Sequence, residues 1–180
     1  GLGDVYKRQP HLWQQTHPGH EGVMWYRFRV NIKSAPTRPW AVYLPRVVMN
    51  AQVWVNDQPM GYTGSMTEPV TRNWYVPLMT IVQPGAWKLG ENVVYVRVAS
   101  GYVARNGLAP IRVGAVDQIE PVYKRRYWAQ VDGVQAANLM LASLGLLMLI
   151  VWSRDRDQDA VGFMGLSAAC WAMSCLRGIA

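Results

Sequence analysis

The sequence predicts an all-β jelly-roll sandwich followed by a transmembrane hairpin of two α-helices. Two observations lead to this prediction. Several short segments between residues 21 and 116 alternate apolar with polar residues, which is typical of strands with one face in a core and one in water. The last fifth of the chain is two apolar runs, each about as long as a membrane-spanning helix.

Residues 1–20 are assigned to a non-native leader and a flexible segment. Residues 1–9 resemble the leader often found at the start of translated environmental fragments, and they contain no apolar core of signal-peptide length. Whether a signal sequence precedes the chain is left open. We therefore expect the fold to begin at residue 21, with a β-sandwich sensor domain over residues 21–116.

The clearest predicted strand covers residues 26–33, where every second residue is apolar and the others are charged or amide. Further strands are predicted at residues 41–44, 51–55, 73–78, 92–99 and 111–113. Turn-forming residues separate them, and no amphipathic helix lies among them, which favours a sandwich or jelly roll. The apolar positions of separate strands predict one shared core, formed by Tyr26, Phe28, Val30, Val53, Val55, Val94, Val96 and Val98.

The carboxyl-terminal part divides into four predicted segments. These are a membrane-proximal linker (117–133), a first transmembrane helix (134–152), a cytoplasmic loop (153–159) and a second, truncated transmembrane helix (160–180). The first apolar run carries no charge and, at about 1.5 Å per residue, spans roughly 28 Å, close to the ~30 Å hydrocarbon core of a bilayer. We expect the chain to be part of a larger membrane protein.

Basic and aromatic residues flank the first apolar run. Arg125, Arg126, Tyr127 and Trp128 precede it, and Trp152 ends it. Arginine side chains meet lipid headgroups and aromatic rings lie at the membrane interface, so these five residues are predicted to mark the two interfaces. Basic residues occur on both sides of the run, so the positive-inside rule does not decide its orientation.

Composition excludes several function classes. The net charge of +7 is spread along the chain without a continuous basic face, so no nucleic acid is expected as a partner. The three histidines lie in a segment with proline and glycine and without cysteine, so neither a metal site nor a cofactor is expected. Acidic residues are scattered in turns and linkers, and no catalytic group is assigned. Cys170 and Cys175 are five residues apart on different helix faces, so a disulfide between them is not expected.

Three segments resemble the galactose-binding-like jelly roll of glycosidase sugar-binding domains: residues 25–30 (Trp-Tyr-Arg-Phe-Arg-Val), 53–57 (Val-Trp-Val-Asn-Asp) with Gly61, and 89–98 (Leu-Gly-Glu-Asn-Val-Val-Tyr-Val-Arg-Val). Those domains commonly carry a Val-x-Val-Asn-Gly hairpin followed later by Gly-x-Asn. Asp57 stands where the family usually has glycine, so the resemblance leaves the geometry of this turn open.

A closer resemblance is to bacterial sensor histidine kinases whose extracytoplasmic jelly roll precedes a multi-helix membrane domain, like the seven-transmembrane receptors with diverse intracellular signalling modules. Residues 43–51, 68–74 with 77–78, and 121–126 carry it. The resemblance implies an extracytoplasmic sensor domain, an inner-membrane location and a homodimer formed through the full-length receptor.

One cluster offers binding chemistry. Glu68, Arg72, Asn73 and Trp74 lie at the predicted start of a strand, and loops at the end of a β-sandwich often carry ligands. Tryptophan offers an apolar face, and the other three offer directional hydrogen bonds to a small polar ligand. The alternative is structural: Glu68 and Arg72 form an ion pair and Trp74 covers the sandwich edge. For Trp54, surface packing and ligand contact are both left open.

The favoured interpretation is a sensor and membrane-anchor segment of a bacterial two-component sensor histidine kinase. Its partners would be the lipid bilayer and either an unknown small polar ligand or a periplasmic protein. One alternative is a receptor with a diguanylate cyclase output. The other is a membrane-anchored carbohydrate-binding module without signalling output.

Overall fold

The computed structural model describes residues 11–17, 22–62, 64–100 and 107–177, and the chain divides into two compact units. The first unit runs to Tyr127 and is mostly β structure. The second begins at Trp128 and is helical.

The strands of the first unit are β1 (His11–Leu12), β2 (Gly22–Ile32), β3 (Trp40–Leu44), β4 (Asn50–Val55), β5 (Gln58–Tyr62), β6 (Leu78–Val82), β7 (Gly90–Ser100), β8 (Gly107–Leu108) and β9 (Arg112–Ala115). Its helices are the single turn α1 (Trp13–Thr16), a 3₁₀ turn (Pro84–Ala86) and α2 (Val116–Tyr127).

All strand pairs are antiparallel. One sheet has the order β2-β7-β4-β5, the second has the order β6-β3-β9, and β1 pairs with β8. Residues from both larger sheets share one hydrophobic core, so this unit is a β-sandwich.

The predicted core is confirmed. Six of its eight residues are buried in one cluster, and Phe28 and Val30 are partly buried against it. The physical reason is the strand period of two, which sends the apolar residues of β2, β4 and β7 to the same side of their sheet.

Two strands differ from the sequence prediction. The strand predicted at residues 73–78 is irregular, and β6 begins only at Leu78. Asn73 lies at 9% exposure with its amide hydrogen-bonded to Asn50, which fixes the chain in a loop. The edge strand β5 (Gln58–Tyr62) was not predicted from the sequence. It contains Pro59, and an edge strand tolerates a residue without an N–H group.

Part of the segment assigned to the leader belongs to the fold. His11–Leu12 pairs with Gly107–Leu108, and Trp13 is only 1% exposed. Trp13 Nε1 donates a hydrogen bond to Tyr26 Oη at 2.6 Å. Residues 11–16 of the segment assigned to a leader and flexible segment therefore form β1 and α1, and Trp13 packs in the core. Residues 1–10 and 18–20 of that segment lie outside the described part of the chain.

The segment predicted as a membrane-proximal linker is helical, and its first part belongs to the sandwich unit. Ile119 of α2 is buried against Ala41 and Tyr43 on the side of β3 that faces away from the main core. Arg38 Nη1 lies 2.9 Å from Asp117 Oδ2 in an exposed ion pair. Helix α2 thus covers the three-stranded sheet.

The second unit contains a π-helical turn (Trp128–Asp132), α3 (Gly133–Arg154) and α4 (Asp159–Arg177). Helices α3 and α4 pack closely at two glycines: a Cβ on Gly145 would lie 2.8 Å from Ala168 Cβ, and a Cβ on Gly165 would lie 3.0 Å from the Gly145 oxygen. Small residues at such a crossing are typical of membrane helix pairs.

Among the described residues, one helix is long and apolar enough to cross a membrane. It runs from Val116 to Arg154, and only 6% of its most apolar 18-residue window is buried. Low burial separates this helix from the core helix of a soluble domain. That this helix spans a bilayer stays a prediction, as do the second membrane helix and the cytoplasmic loop.

Candidate functional site

The predicted ligand cluster lies in the loop of residues 64–77, which joins β5 to β6. Two hydrogen bonds close this loop on itself: Thr71 N donates to Ser65 O at 3.1 Å, and Ser65 N donates to Thr71 Oγ1 at 2.7 Å. Gly64 has a φ of +75°, and a Cβ there would clash with the Thr71 side chain. The loop is therefore tightly closed at its base.

Asn73 ties this loop to the sandwich. Its side-chain Nδ2 donates to Asn50 Oδ1 at 3.0 Å, and its backbone N donates to Met49 O at 2.7 Å. Asn50 Nδ2 in turn donates to Ser65 O at 3.0 Å. Both amides are buried, so Asn73 holds the loop in position.

The other three residues of the cluster are exposed. The guanidinium carbon of Arg72 lies 5.8 Å from the centroid of the Trp74 ring, in a cation–π contact, and Trp74 is 37% exposed. The charged groups of Glu68 and Arg72, both described by the structure, form no ion pair within 4.0 Å. The loop thus presents an aromatic ring, a cation and a carboxylate to solvent. Ligand contact at these residues stays a prediction.

A second aromatic surface lies on the outer face of the four-stranded sheet. Trp25 of β2, Trp54 of β4, Tyr95 of β7 and Asp57 of the β4–β5 turn line a shallow depression there. The Trp25 and Trp54 ring centroids are 4.8 Å apart with planes inclined by 45°. Sequence reasoning missed this surface. The sequence signal for it was that all three aromatic residues occupy strand positions whose side chains, by the alternation of apolar and polar residues, face solvent.

Strand register fixes the neighbours of this aromatic surface. Arg97 pairs with Trp25 on one side and with Gln52 on the other, and Tyr95 pairs with Trp54. Register partners in antiparallel strands share one face of the sheet. Farther along the same face, Arg29 Nε lies 3.8 Å from Glu91 Oε1.

An apolar opening lies where the edge strands β5 and β6 meet. Its lining includes Leu44, Ala51, Met60 and Leu78, and none of its lining residues is charged. Thr80 has the one polar side chain in that lining, and a site with so few directional groups discriminates poorly among ligands. This opening is an edge of the sandwich core.

The predicted interface residues have different surroundings. Trp128 is 65% exposed, and the Tyr127 ring lies 5.7 Å from that of Tyr123. The Trp152 ring lies between two neighbours of its own unit: the Arg156 guanidinium, 4.2 Å from its centroid, and Gly162, where a Cβ would be 2.5 Å away. Arg125 is exposed and Arg126 is half-buried.

Two tyrosines, Tyr26 and Tyr43, have pKa values raised above the ordinary value. Burial raises the pKa of Tyr26 to about 12, and the hydrogen bond from Trp13 opposes that rise. Burial also raises the pKa of Tyr43, while the nearby positive charges of Arg126 and Arg112 oppose it. Within the described residues, no group of three histidine, cysteine or acidic side chains is placed to hold a metal ion.

No family model and no curated protein matches the chain. Among solved structures, it is similar to a glycosyl hydrolase family 2 member from Bacteroides cellulosilyticus DSM 14838, with a TM-score of 0.47 and 21% identity over 61% of this chain and 16% of that chain. It is also similar to a GH2 β-galacturonidase from Eisenbergiella tayi bound to glycerol, with a TM-score of 0.47 and 16% identity over 63% of this chain and 21% of that chain.

A third similar structure is the β-glucuronidase of Ruminococcus gnavus in complex with uronic isofagomine, with a TM-score of 0.45 and 15% identity over 56% of this chain and 16% of that chain. The chain spans only about a fifth or less of the length of these three proteins. Likeness at this level carries no argument about activity or ligand.

Proposed function

We propose that this chain is the extracytoplasmic sensor domain and membrane anchor of a bacterial signal-transduction receptor in the inner membrane, with a histidine kinase as its output. In this proposal the β-sandwich is a galactose-binding-like jelly roll on the periplasmic or extracellular side. It binds a small polar ligand or a periplasmic partner through Glu68, Arg72 and Trp74. The receptor functions as a homodimer.

One observation carries this proposal. Helix α2 packs on β3 through Ile119, and the helical segment that starts at Val116 runs on to Arg154, which includes the apolar stretch. A ligand that favours one conformation of the sandwich would therefore act on an element that is covalently continuous with the membrane helix. Differential affinity for two conformations is what a ligand needs to shift an equilibrium.

The exposed part of the 64–77 loop supports the assignment of the input site. Asn73 fixes the loop on the sandwich through its bonds to Asn50 and Met49. Arg72 and Trp74 are then held outside the core, so ligand contact would not disturb the core. Loops on rigid scaffolds commonly carry binding residues for this reason.

Two other functions are alternatives to this proposal. A receptor with diguanylate cyclase output would use the same sandwich and helices. A membrane-anchored carbohydrate-binding module would also use them, without any output, and the exposed tryptophans Trp25 and Trp74 favour it.

The reading frame downstream of Ala180 in the source genome tests the output. A phosphoacceptor histidine followed by an ATP-binding domain would support the kinase, whereas a Gly-Gly-acid-acid-Phe motif would support the cyclase. A stop codon soon after the helical hairpin would overturn signalling and leave the carbohydrate-binding module. Alkaline carbonate extraction of membranes that contain the chain tests the anchor, since release into the supernatant would show that α3 does not span the bilayer.

A further inference from the structure

We propose that Arg112, Arg126 and the Tyr43 hydroxyl form a binding site for the phosphate group of an anionic lipid headgroup. The site lies where α2 packs on the three-stranded sheet, and it uses no residue of the 64–77 loop. The inference therefore goes beyond the proposed input site. It rests on the proposed membrane anchor only for the source of the phosphate.

The sheet register places Arg112 beside Tyr43. Arg112 begins β9 and is the antiparallel partner of Tyr43 in β3, and register partners share one face of a sheet. Tyr43 is buried in one cluster with Ile119 of α2, so this is the face that α2 covers. The Arg112 side chain therefore extends from the sheet next to the Tyr43 ring.

Helix α2 brings the second arginine to the same place. Ile119, Tyr123 and Arg126 are spaced four and three residues apart, so they share one face of the helix. Ile119 is buried against β3, and the rings of Tyr123 and Tyr43 meet edge-on with centroids 6.2 Å apart. Burial raises the pKa of Tyr43, and the positive charges of Arg126 and Arg112 oppose that rise. Both guanidinium groups thus lie near its hydroxyl.

The Tyr43 hydroxyl is a hydrogen-bond donor in a buried position. The Tyr43 side chain is 1% exposed, and its Oη forms no hydrogen bond with the described residues. A buried hydroxyl without a partner is unfavourable, so a ligand oxygen at this place would be stabilised by it. A ligand reaches the hydroxyl when the two arginine side chains turn outward, since Arg112 is exposed and Arg126 is half-buried.

The charges around the site favour an anion. Among the described acidic side chains, none lies within 4.0 Å of the Arg112 guanidinium. The two acidic residues of α2 pair with other cations: Asp117 Oδ2 lies 2.9 Å from Arg38 Nη1, and Glu120 Oε1 lies 2.7 Å from Lys124 Nζ. An anionic ligand would therefore supply the countercharge that Arg112 lacks.

A phosphate group matches these donors better than a carboxylate does. Each guanidinium offers a planar pair of N–H donors that fits two oxygens of one anion, and the tyrosine hydroxyl donates to a further oxygen. One arginine in the bidentate geometry already engages both oxygens of a carboxylate. A phosphate has oxygens left for the second arginine and for the hydroxyl.

The position of the site along the chain points to a lipid as the source of the phosphate. Arg126 is followed by Tyr127 and Trp128 and then by the apolar run of residues 134–152. Arginine and aromatic residues at such a position meet lipid headgroups. A headgroup bound to Arg112 of β9 and Arg126 of α2 would also bridge the sheet and the helix. Such a ligand favours the conformation in which α2 is docked on β3.

The test uses the whole chain in micelles of an uncharged detergent, where single lipids can be titrated. Native mass spectrometry counts bound lipid molecules and measures their affinities. The probes are phosphatidylglycerol and diacylglycerol, which lacks the phosphate. We expect phosphatidylglycerol to bind about tenfold or more tightly than diacylglycerol. Arg112→Gln and Arg126→Gln should each remove most of this preference.

Two further variants separate the site from stability and from net charge. Tyr43→Phe keeps the ring and removes a hydroxyl that has no hydrogen bond within the described residues. Its melting temperature, measured by circular dichroism, should not fall, while its preference for phosphatidylglycerol should fall several-fold. Arg29→Gln removes one exposed positive charge of the same unit and should leave the preference unchanged.

Three results would overturn the site. One is equal affinity for the two lipids. Another is an equal loss of preference in Arg29→Gln and Arg112→Gln, which would assign the binding to net charge. The third is a Tyr43→Phe variant with a lower melting temperature and an unchanged preference, which would make the hydroxyl structural.

Glycerol phosphate, titrated by isothermal calorimetry, distinguishes the two sources of phosphate. If it binds, if Arg112→Gln and Arg126→Gln abolish that binding, and if no lipid is preferred, the lipid is overturned as the source and the phosphate site remains. This soluble probe does not depend on a bilayer. Failure of the membrane anchor in carbonate extraction is therefore distinguishable from failure of the site.

Discussion

Asn56 Nδ2 donates a hydrogen bond to Asn92 Oδ1 at 2.7 Å. The two residues come from the two sequence motifs that resemble galactose-binding-like domains. Asn92 Oδ1 also accepts from Lys88 N at 2.7 Å, and Asn56 Oδ1 accepts from Val93 N at 3.0 Å. The asparagines therefore join the β4–β5 turn to the start of β7, so these motif positions are structural.

Asn92→Ala should destabilise the sandwich by about 2 to 4 kcal/mol, because it removes a buried amide that bonds to Asn56, Lys88 and Gly90. Asn92 is fully buried. Urea unfolding monitored by tryptophan fluorescence measures the effect. Asn31→Ala, at an exposed position of β2, is the matched control and should change stability little. Equal stability of the two variants would contradict the importance of this network.

Asp57→Gly should stabilise the sandwich by about 0.5 to 1 kcal/mol, because glycine adopts positive φ without steric cost. Asn56 and Asp57 have φ values of 49° and 68°, the pattern of a two-residue type I′ hairpin turn. The turn thus has a left-handed geometry although glycine is absent.

Asn56→Gly is the informative comparison for Asp57→Gly. The φ of Asn56 is also positive, but its side chain bonds to Asn92 and to Ala86 O. This variant should lose stability although its backbone gains the same freedom. A thermal shift of the same sign for both variants would show that backbone conformation alone governs this turn.

The strands with alternating apolar and polar residues could be predicted from the sequence, because each has one face in solvent and one face in the core. Residues 73–78 also alternate, at Trp74, Val76 and Leu78, yet residues 73–77 form a loop and β6 begins at Leu78. The Asn73 amide is buried and hydrogen-bonded to Asn50, 23 residues away in sequence. The alternation of neighbouring residues does not predict a contact over that distance. The position of Trp13 in the core depends in the same way on Tyr26.

The candidate site could be predicted only in part. Local composition indicated the cluster at residues 68–74, but it did not separate the buried Asn73 from the exposed Arg72 and Trp74. The aromatic surface formed by Trp25, Trp54 and Tyr95 is assembled from three strands, and its register is set by pairing across β7. Contacts of this kind become visible only when the strand order is known.

The stability of the sandwich should fall as the pH rises from about 10 to about 12, because Tyr26 keeps its proton in the folded state up to a pKa of about 12 and ionises near 10 when unfolded. Its contribution is complete below pH 10 and is lost through pH 12. The shift corresponds to about 2 to 3 kcal/mol. Urea unfolding at a series of pH values measures this dependence.

Tyr26→Phe is the control for this pH dependence. It removes the ionisable group together with the acceptor of the Trp13 hydrogen bond. The variant should be less stable at neutral pH and should lose less stability between pH 10 and pH 12 than the original protein. An unchanged alkaline slope would assign the effect to other groups, such as Tyr43.

Gly145→Leu should destabilise the packing of α3 on α4 by about 1 to 3 kcal/mol, because the added side chain overpacks the crossing. A Cβ at this position would lie 2.8 Å from Ala168 Cβ. Hydrogen exchange of the α3 and α4 amides in lipid nanodiscs should then increase. Ser143→Leu adds a similar side chain at an exposed position of α3. If both variants exchange alike, close approach at Gly145 is not what holds the pair together.

The 64–77 loop allows binding to be separated from stability. Asn73→Ala should lower the melting temperature, because it leaves buried Asn50 Oδ1 without the bond from Asn73 Nδ2. Arg72→Ala should leave the melting temperature nearly unchanged, since surface substitutions usually change stability by about 0.5 kcal/mol or less. Trp74→Ala should lower it moderately, because Trp74 is only 37% exposed and its truncation removes buried aromatic surface.

A ligand-library thermal-shift screen on the whole chain in nanodiscs, repeated with these three variants, completes the test. A ligand that contacts the exposed pair should lose much of its affinity in Trp74→Ala through lost contact area. It should lose about 1.5 to 3 kcal/mol of binding free energy in Arg72→Ala if it carries a charge-assisted bond. If every ligand found binds both variants with unchanged affinity, Arg72 and Trp74 do not contact the ligand, and the input site of the receptor lies elsewhere.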